Sequence, residues 1–90
     1  MAAAPAGPFK PAPGVVARDM GHAAVVVHLD SNRIFELNPT GARVWALIEA
    51  GRSVPEICAQ LKLDYPDAGD VDSTVAALMA DFTREGLIVA

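Results

Sequence analysis

The ninety-residue sequence has one cysteine, few cations and no long apolar run, and each shortage excludes a class of protein. Cys58 alone cannot form an intramolecular disulfide or a cysteine-built zinc site, which predicts a reducing, cytoplasmic environment. The seven Lys and Arg are spread singly along a chain of net charge −4, whereas holding a phosphate backbone needs clustered cations. No apolar stretch approaches the ~18–20 residues of a membrane span. We therefore expect neither nucleic acid nor a membrane as a partner.

The chain also lacks any set of side chains with the spacing of a catalytic or metal site. Its two histidines, His22 and His28, would lie about 20 Å apart along a strand, too far for one metal ion. Cys58 has no nearby histidine in sequence and is expected to be a small buried hydrophobe. The acidic loop of residues 63–72 lacks the ligand spacing and the closing Glu of a calcium loop. We predict no catalytic residue, no metal, no cofactor and no enzymatic activity.

The first fourteen residues, MAAAPAGPFKPAPG, are rich in proline and alanine. Four prolines favour an extended, mobile segment. The segment does not read as a signal peptide, because it lacks a basic start followed by a continuous apolar run. We therefore divide the chain into a disordered tail, residues 1–14, and one domain, residues 15–90.

Two segments rich in β-branched residues predict an antiparallel hairpin. Residues 23–29 and 33–37 flank the turn cluster Asp30-Ser31-Asn32. Alternation places Phe35 and Leu37 on one face of the second strand, which we assign to the core, and Ile34 and Glu36 on the other. A short apolar run at residues 15–17 is a candidate first strand. The sheet is therefore expected to have two or three strands.

Three helices are predicted after the sheet. Each starts with a capping signal: Asn38 before Pro39, the capping box Ser53–Glu56, and Asp70. The third helix has an apolar stripe at spacing i, i+4, i+7, i+11, consisting of Val71, Val75, Leu78 and Phe82. Met79 is expected beside this stripe, where a flexible side chain suits a binding groove. The order of elements predicts an α+β domain that is winged helix-turn-helix-like, with the antiparallel sheet at its N-terminal side and three helices following.

The residues around the strand-to-helix corner resemble the PqqD family. The matching segments are RIFELNPTGARVW from residue 33, LIEAG from residue 47, SVPEI from residue 53 and GLI from residue 86. The resemblance covers roughly residues 15–89. The corner Pro39-Thr40-Gly41 is commoner in the wider family than in the pyrroloquinoline quinone pathway, so the pathway stays open.

This resemblance implies a RiPP recognition element, a peptide chaperone or adaptor without catalytic activity. Such a protein binds the leader of a ribosomally made precursor peptide and presents it to a modifying enzyme, such as a radical SAM protein or a leader peptidase. The pathway would be PQQ biosynthesis or another such as lasso peptide biosynthesis. In the family, the leader adds as a strand to the sheet edge and lies against the third helix. The implied contacts are Arg33, Ile34, Phe35, Glu36, Leu37, Thr74, Leu78, Met79 and Asp81.

Two other classes of function remain open at this point. In a winged helix-turn-helix DNA-binding regulator, the third helix would enter the major groove. That helix region carries Asp72, Asp81 and Glu85 against Arg84 alone, so phosphate would repel it. A structural dimerisation module would bind neither peptide nor DNA. We expect a monomer or a weak homodimer.

Overall fold

The computed structural model describes residues 8–90, which form five short strands and three helices. The strands are β1 (Lys10–Pro11), β2 (Val15–Asp19), β3 (Ala24–His28), β4 (Arg33–Leu37) and β5 (Ile88–Val89). The helices are α1 (Pro39–Glu49), α2 (Val54–Asp64) and α3 (Val71–Arg84). The predicted α+β class, with an antiparallel sheet ahead of three helices, is confirmed. Within these residues no helix is long and apolar enough to cross a membrane.

Strands β2, β3 and β4 form an antiparallel sheet in that spatial order, so β4 is an edge strand. Ala24 pairs with Leu37 and Val26 with Phe35. Val26 is fully buried and Leu37 is 9% exposed, whereas Ile34 is 67% exposed. The prediction that Phe35 and Leu37 face the core is therefore confirmed. Ile34 and Glu36 lie on the outer face, which is turned away from the core.

The predicted helix caps are formed. The Asn38 side chain accepts a hydrogen bond of 2.8 Å from the Gly41 N–H at the start of α1. A Cβ at Gly41 would lie 3.3 Å from Asn38 Oδ1 and 3.5 Å from Leu37 Cβ, so glycine makes room for this corner. Ser53 and Glu56 form the capping box of α2, and Asp70 caps α3.

The apolar stripe of α3 differs by one residue from the prediction. Its buried residues are Val71, Val75, Met79 and Phe82, while Leu78 is half-buried. The expectations that Leu78 belongs to the central stripe and that Met79 lies beside it are wrong. At ~100° per residue, Leu78 and Met79 lie on opposite flanks of one face. Tertiary packing, which the spacing alone does not contain, decides which flank is covered.

The first and last strands of the described residues form a second, two-stranded sheet. Lys10 pairs with Val89 and Pro11 with Ile88, and the Ala12 N–H donates to the Leu87 carbonyl at 2.9 Å. The predicted tail, residues 1–14, therefore differs from the structure at residues 10–12. The buried C-terminal residues offer a strand for this part of the chain to pair with, and proline is tolerated on such an edge. Residues 1–7, the rest of that predicted tail, lie outside the described residues.

Candidate functional site

A groove of about 520 Å³ runs between the free edge of β4 and α3. We call it the β4–α3 groove. The strand contributes Ile34–Leu37, and the corner after it contributes Asn38 and Gly41. The opposite wall comes from the second half of α3 and the turn that follows. Its residues are Leu78, Asp81, Phe82, Arg84, Glu85 and Leu87.

Apolar side chains that also belong to the core form the floor of the β4–α3 groove. Phe82 is 3% exposed and Leu87 is 1% exposed, so both are held firmly by their neighbours. The Phe82 ring packs edge to face on Trp45, with 5.4 Å between ring centroids and 88° between planes. Phe35 and Leu78 are half-buried and pack against the same core. The groove therefore has a preformed apolar surface.

Charged side chains lie along the rim of the groove. Arg84 contacts Asp81 at 2.6 Å, and Arg33 contacts Glu85 at 2.5 Å across from β4 to the end of α3. The Arg33 guanidinium also lies 5.0 Å from the centroid of the Phe35 ring. These ion pairs are exposed, so each stabilises the fold by no more than about 1 kcal/mol. Glu36, in contrast, makes no ion pair with the residues that the structure describes.

The hydrogen-bonding pattern of the sheet fixes which backbone groups point to its free edges. The Leu29 N–H donates to the Gly14 carbonyl and the Met20 N–H to the Ala23 carbonyl, each at 2.8 Å. Bonded and non-bonded pairs alternate between antiparallel strands. It follows that residues 25 and 27 of β3 bond to β2, and that residues 24, 26 and 28 bond to β4.

On β4, the partners of those three residues are Leu37, Phe35 and Arg33. Their N–H and C=O groups therefore point into the sheet. The backbone groups of Ile34 and Glu36 point away from it, toward the space beside β4. This edge can accept a further strand, whose alternate side chains would enter the β4–α3 groove.

Six of the nine residues implied by the family resemblance line this groove. They are Ile34, Phe35, Glu36, Leu37, Leu78 and Asp81. Arg33 lies just outside and holds Glu85. Thr74 lies on the first turn of α3, where its hydroxyl donates to the Asp70 carbonyl at 3.1 Å, beside a separate small cavity. Met79 is 7% exposed and belongs to the core.

Sequence reasoning missed the other six lining residues as groove residues: Asn38, Gly41, Phe82, Arg84, Glu85 and Leu87. Phe82 follows Leu78 by four residues and therefore lies beside it on the helix, which is a signal that was available. Leu87 was not identifiable in this way, because its position depends on the turn after α3.

A second groove, also of about 520 Å³, lies at the other side of the domain. We call it the α1 groove, because one wall is the exposed side of α1, with Ala46 and Glu49. The other wall is the end of β2 and the turn that follows it, where His22 is exposed. The expectation that His22 lies on a strand with His28 is wrong, since the turn separates it from β3.

The environments of Cys58 and Asp70 favour structural roles for these two residues. Burial, followed by the nearby Asp72, raises the pKa of the Cys58 thiol, and this opposes formation of the nucleophilic thiolate. Hydrogen bonds from Ser73, first from its backbone N–H and then from its side chain, lower the pKa of the capping residue Asp70. Over residues 8–90, no three His, Cys, Asp or Glu side chains lie together as a metal ion would require.

The chain resembles known proteins in both sequence and fold. Residues 23–88 match the family model of coenzyme PQQ synthesis protein D, PqqD. TbiB1 in complex with the TbiA(beta) leader peptide has a TM-score of 0.82 at 23% identity, over 88% of this chain and 93% of that chain. Lasso peptide synthetase B1 complexed with the leader peptide has a TM-score of 0.83 at 20% identity, over 93% and 100%. These two likenesses show a shared fold. No curated protein sequence matches the chain.

Proposed function

The chain belongs to the PqqD family, and from this premise we propose that it binds the leader of a ribosomally made precursor peptide. It then acts as a peptide chaperone that presents the bound precursor to a modifying enzyme. Both structural neighbours are complexes with leader peptides, which supports the same class of ligand here. The β4–α3 groove is the site that we assign to this leader.

The observation that carries the proposal is a free strand edge beside a preformed apolar groove. An extended leader pairs with the outward backbone groups of Ile34 and Glu36, which supply main-chain hydrogen bonds for any sequence. Every second leader side chain then faces Leu78 and Phe82, where apolar residues are buried and selected. Phe35, Leu37 and Leu87 complete the surface that these side chains meet.

Neither strand pairing nor apolar burial requires a catalytic group, so we propose that the protein is an adaptor and not an enzyme. The raised pKa of Cys58 supports this, because it disfavours the only thiolate the chain can form. Chemistry on the precursor belongs to the partner, a modifying enzyme such as a radical SAM protein or a leader peptidase. The pathway is that of PQQ or of another such peptide product, with a lasso peptide among the candidates.

DNA binding is disfavoured by the charges of α3. Arg84 is the only basic residue of this helix, and it lies within 4 Å of two carboxylates, at 2.6 Å from Asp81 and 3.9 Å from Glu85. A phosphate approaching α3 would therefore meet a cation that is already neutralised. A purely structural dimerisation module would leave the β4–α3 groove without a ligand.

One matched pair of proline variants tests the site. Ile34→Pro removes an N–H that points away from β4 without removing a bond to β3. Ala17→Pro is the control, because the same alternation makes the Ala17 N–H point outward from β2, at the opposite edge. Binding of a labelled leader, from a precursor encoded beside the gene, is measured by fluorescence anisotropy.

We expect Ile34→Pro to weaken leader binding by about tenfold or more, since a bond is lost and the ring blocks close pairing. Ala17→Pro should keep the affinity within about twofold, and both variants should unfold cooperatively. Equal losses in the two variants, or none in Ile34→Pro, would place the leader elsewhere. Phe35→Pro is a poorer test, because it removes an N–H that bonds to β3.

A further inference from the structure

The outer face of the three-stranded sheet carries two cross-strand rows that both end at the free edge. The register gives the rows Val16–Val27–Ile34 and Arg18–Val25–Glu36. Their last members are the two β4 residues whose backbone groups point outward. A strand that adds to β4 therefore places one outer-face side chain beside Ile34 and another beside Glu36. These two leader positions do not enter the β4–α3 groove.

The first row is apolar and open to solvent. Val16 is 53% exposed and Ile34 is 67% exposed. An apolar leader side chain beside Ile34 would cover part of this surface and continue the row. The outer face thus favours an apolar residue at that leader position.

The second row ends in an unpaired carboxylate. Glu36 is exposed and belongs to none of the salt bridges formed by residues 8–90. Arg18 shares its row but lies two strands away, about 10 Å at the usual strand spacing. Arg33 is on the other face of β4, where it is held by Glu85 and Phe35. A residue on an added strand would lie only about 5 Å away between Cβ atoms.

We propose that Glu36 selects leaders with a basic residue beside it, and that the selected pattern is basic–x–apolar from N- to C-terminus. Every strand pair described is antiparallel, and antiparallel pairing is slightly the more stable kind. In that direction, the leader residue beside Glu36 precedes the residue beside Ile34 by two positions. The intervening residue, x, faces the groove. This inference rests on the proposed function and adds a specificity rule to it.

A peptide library makes the rule measurable without knowing the natural precursor. Random twelve-residue peptides are displayed and selected on the ninety-residue protein, and on its Ile34→Pro variant. Peptides retained by the first and lost from the second are those that pair at β4. Among these, Lys or Arg should be enriched about two- to fivefold two positions before an apolar residue, the size expected of one exposed cross-strand pair.

The protein is acidic, so basic peptides could be enriched for a general reason, and two further selections separate the causes. With Glu36→Lys, the preference at that one position should change to Asp or Glu. Glu49→Lys, the matched control, makes the same charge change at an exposed residue of α1 beside the α1 groove, and should keep the preference for Lys or Arg.

The outcomes separate a failure of the specificity rule from a failure of the proposed function. Peptides that depend on Ile34 but show the same preference on the wild-type protein and on Glu36→Lys would overturn the rule and leave leader binding intact. The order apolar–x–basic would overturn the antiparallel register. If no selected peptide depends on Ile34, the proposed function fails and the rule fails with it.

Discussion

The two grooves of this domain have the same volume, about 520 Å³, and both carry charged side chains, but large apolar side chains line the β4–α3 groove and several alanines line the α1 groove. The β4–α3 groove is floored by aromatic and aliphatic side chains that are fixed in the core. The α1 groove is bordered by charged side chains, among them Arg18, Arg43 and Glu49. Arg43 contacts Asp64 at 2.7 Å, so part of this charge is already paired within the protein. Volume alone therefore does not identify a peptide site.

The sheet edges beside the two grooves are alike in their exposed backbone groups and in their charge. Both β2 and β4 are edge strands with outward backbone groups. Strand β2 ends at Asp19, whose carboxylate accepts a hydrogen bond of 2.8 Å from the Gly21 N–H. Arg33 has the equivalent core-facing position on β4, so a charge that discourages strand pairing is present at both edges. What distinguishes β4 is the apolar wall beside it, and the following predictions test that distinction.

The largest effect is expected behind the wall of the β4–α3 groove. Met79→Ala should lower the free energy of unfolding by about 2–5 kcal/mol, because it leaves a cavity in the core. Leu78→Ala, the adjacent residue, should lower it by less than half as much, since Leu78 is only half-buried. Urea denaturation measures both. A larger loss at Leu78 than at Met79 would contradict the packing of α3 described here.

The second largest effect is expected on leader affinity, when a carboxylate is placed in the wall of each groove. Leu78→Glu places a carboxylate in the wall of the β4–α3 groove and should weaken leader binding by about 1–3 kcal/mol, the usual penalty for burying an unpartnered polar group. Ala46→Glu places the same group in the wall of the α1 groove and should keep the affinity within about twofold. Titration calorimetry compares them. A larger loss of leader affinity in Ala46→Glu than in Leu78→Glu would place the leader in the α1 groove.

Salt should separate a peptide from DNA as the ligand. Leader affinity should fall by less than about threefold between 50 and 200 mM salt, because backbone pairing and apolar burial release few counterions. A protein making six or more phosphate contacts would lose about a thousandfold or more over this range. We expect no measurable binding of a DNA duplex at 200 mM salt. Steeply salt-dependent duplex binding, reduced by Arg18→Gln, would instead make the α1 groove a phosphate site.

The smallest effect concerns stability at acid pH. The hydrogen bond from Arg43, and then that from Gln60, lowers the pKa of Asp64 in the folded protein. A lowered folded-state pKa stabilises the fold above the unfolded pKa of about 4, and this contribution is lost as pH falls through the folded value. Asp64→Asn should therefore cost less than about 1 kcal/mol at pH 7, and the cost should shrink as pH falls below about 4. Urea midpoints over this pH range measure this, and a cost that grows as pH falls would contradict the assignment.

Local rules were enough to predict the three helices, the hairpin of β3 and β4 and the residues of β4 that line the groove. Asn38-Pro39 and the capping box fix where helices begin, because each cap depends on residues three or four positions apart. The inward face of β4 was predictable as well, because the alternation in residues 33–37 also relates residues that are close in sequence. The residues of β4 that line the groove follow from that face and its free edge. Their contacts with a leader remain a prediction.

The features that the sequence did not reveal depend on distant parts of the chain. Leu78 and Met79 are about equally well placed to lie on the buried face of α3, and only the packing of neighbouring elements determines which of them is covered. Lys10 and Pro11 form a strand because Ile88 and Val89 lie beside them, at the other end of the sequence. Leu87 is brought to the groove by the same pairing of these distant strands. Such pairings carry no local periodicity.

The β1–β5 pairing also determines how the chain can be rewired. Lys10 and Val89 are cross-strand neighbours, so a short linker from Val89 to the residue before Phe9 keeps both strands and the contact of Phe9 with the core. New termini can be opened in the exposed loop between α2 and α3, around Pro66–Gly69. In this circular permutant, α3 would come first in the chain and β4 afterwards, so the groove would be assembled in the reverse order. Leader affinity should survive the permutation, because the site depends on which elements are neighbours in space and not on the order of their synthesis.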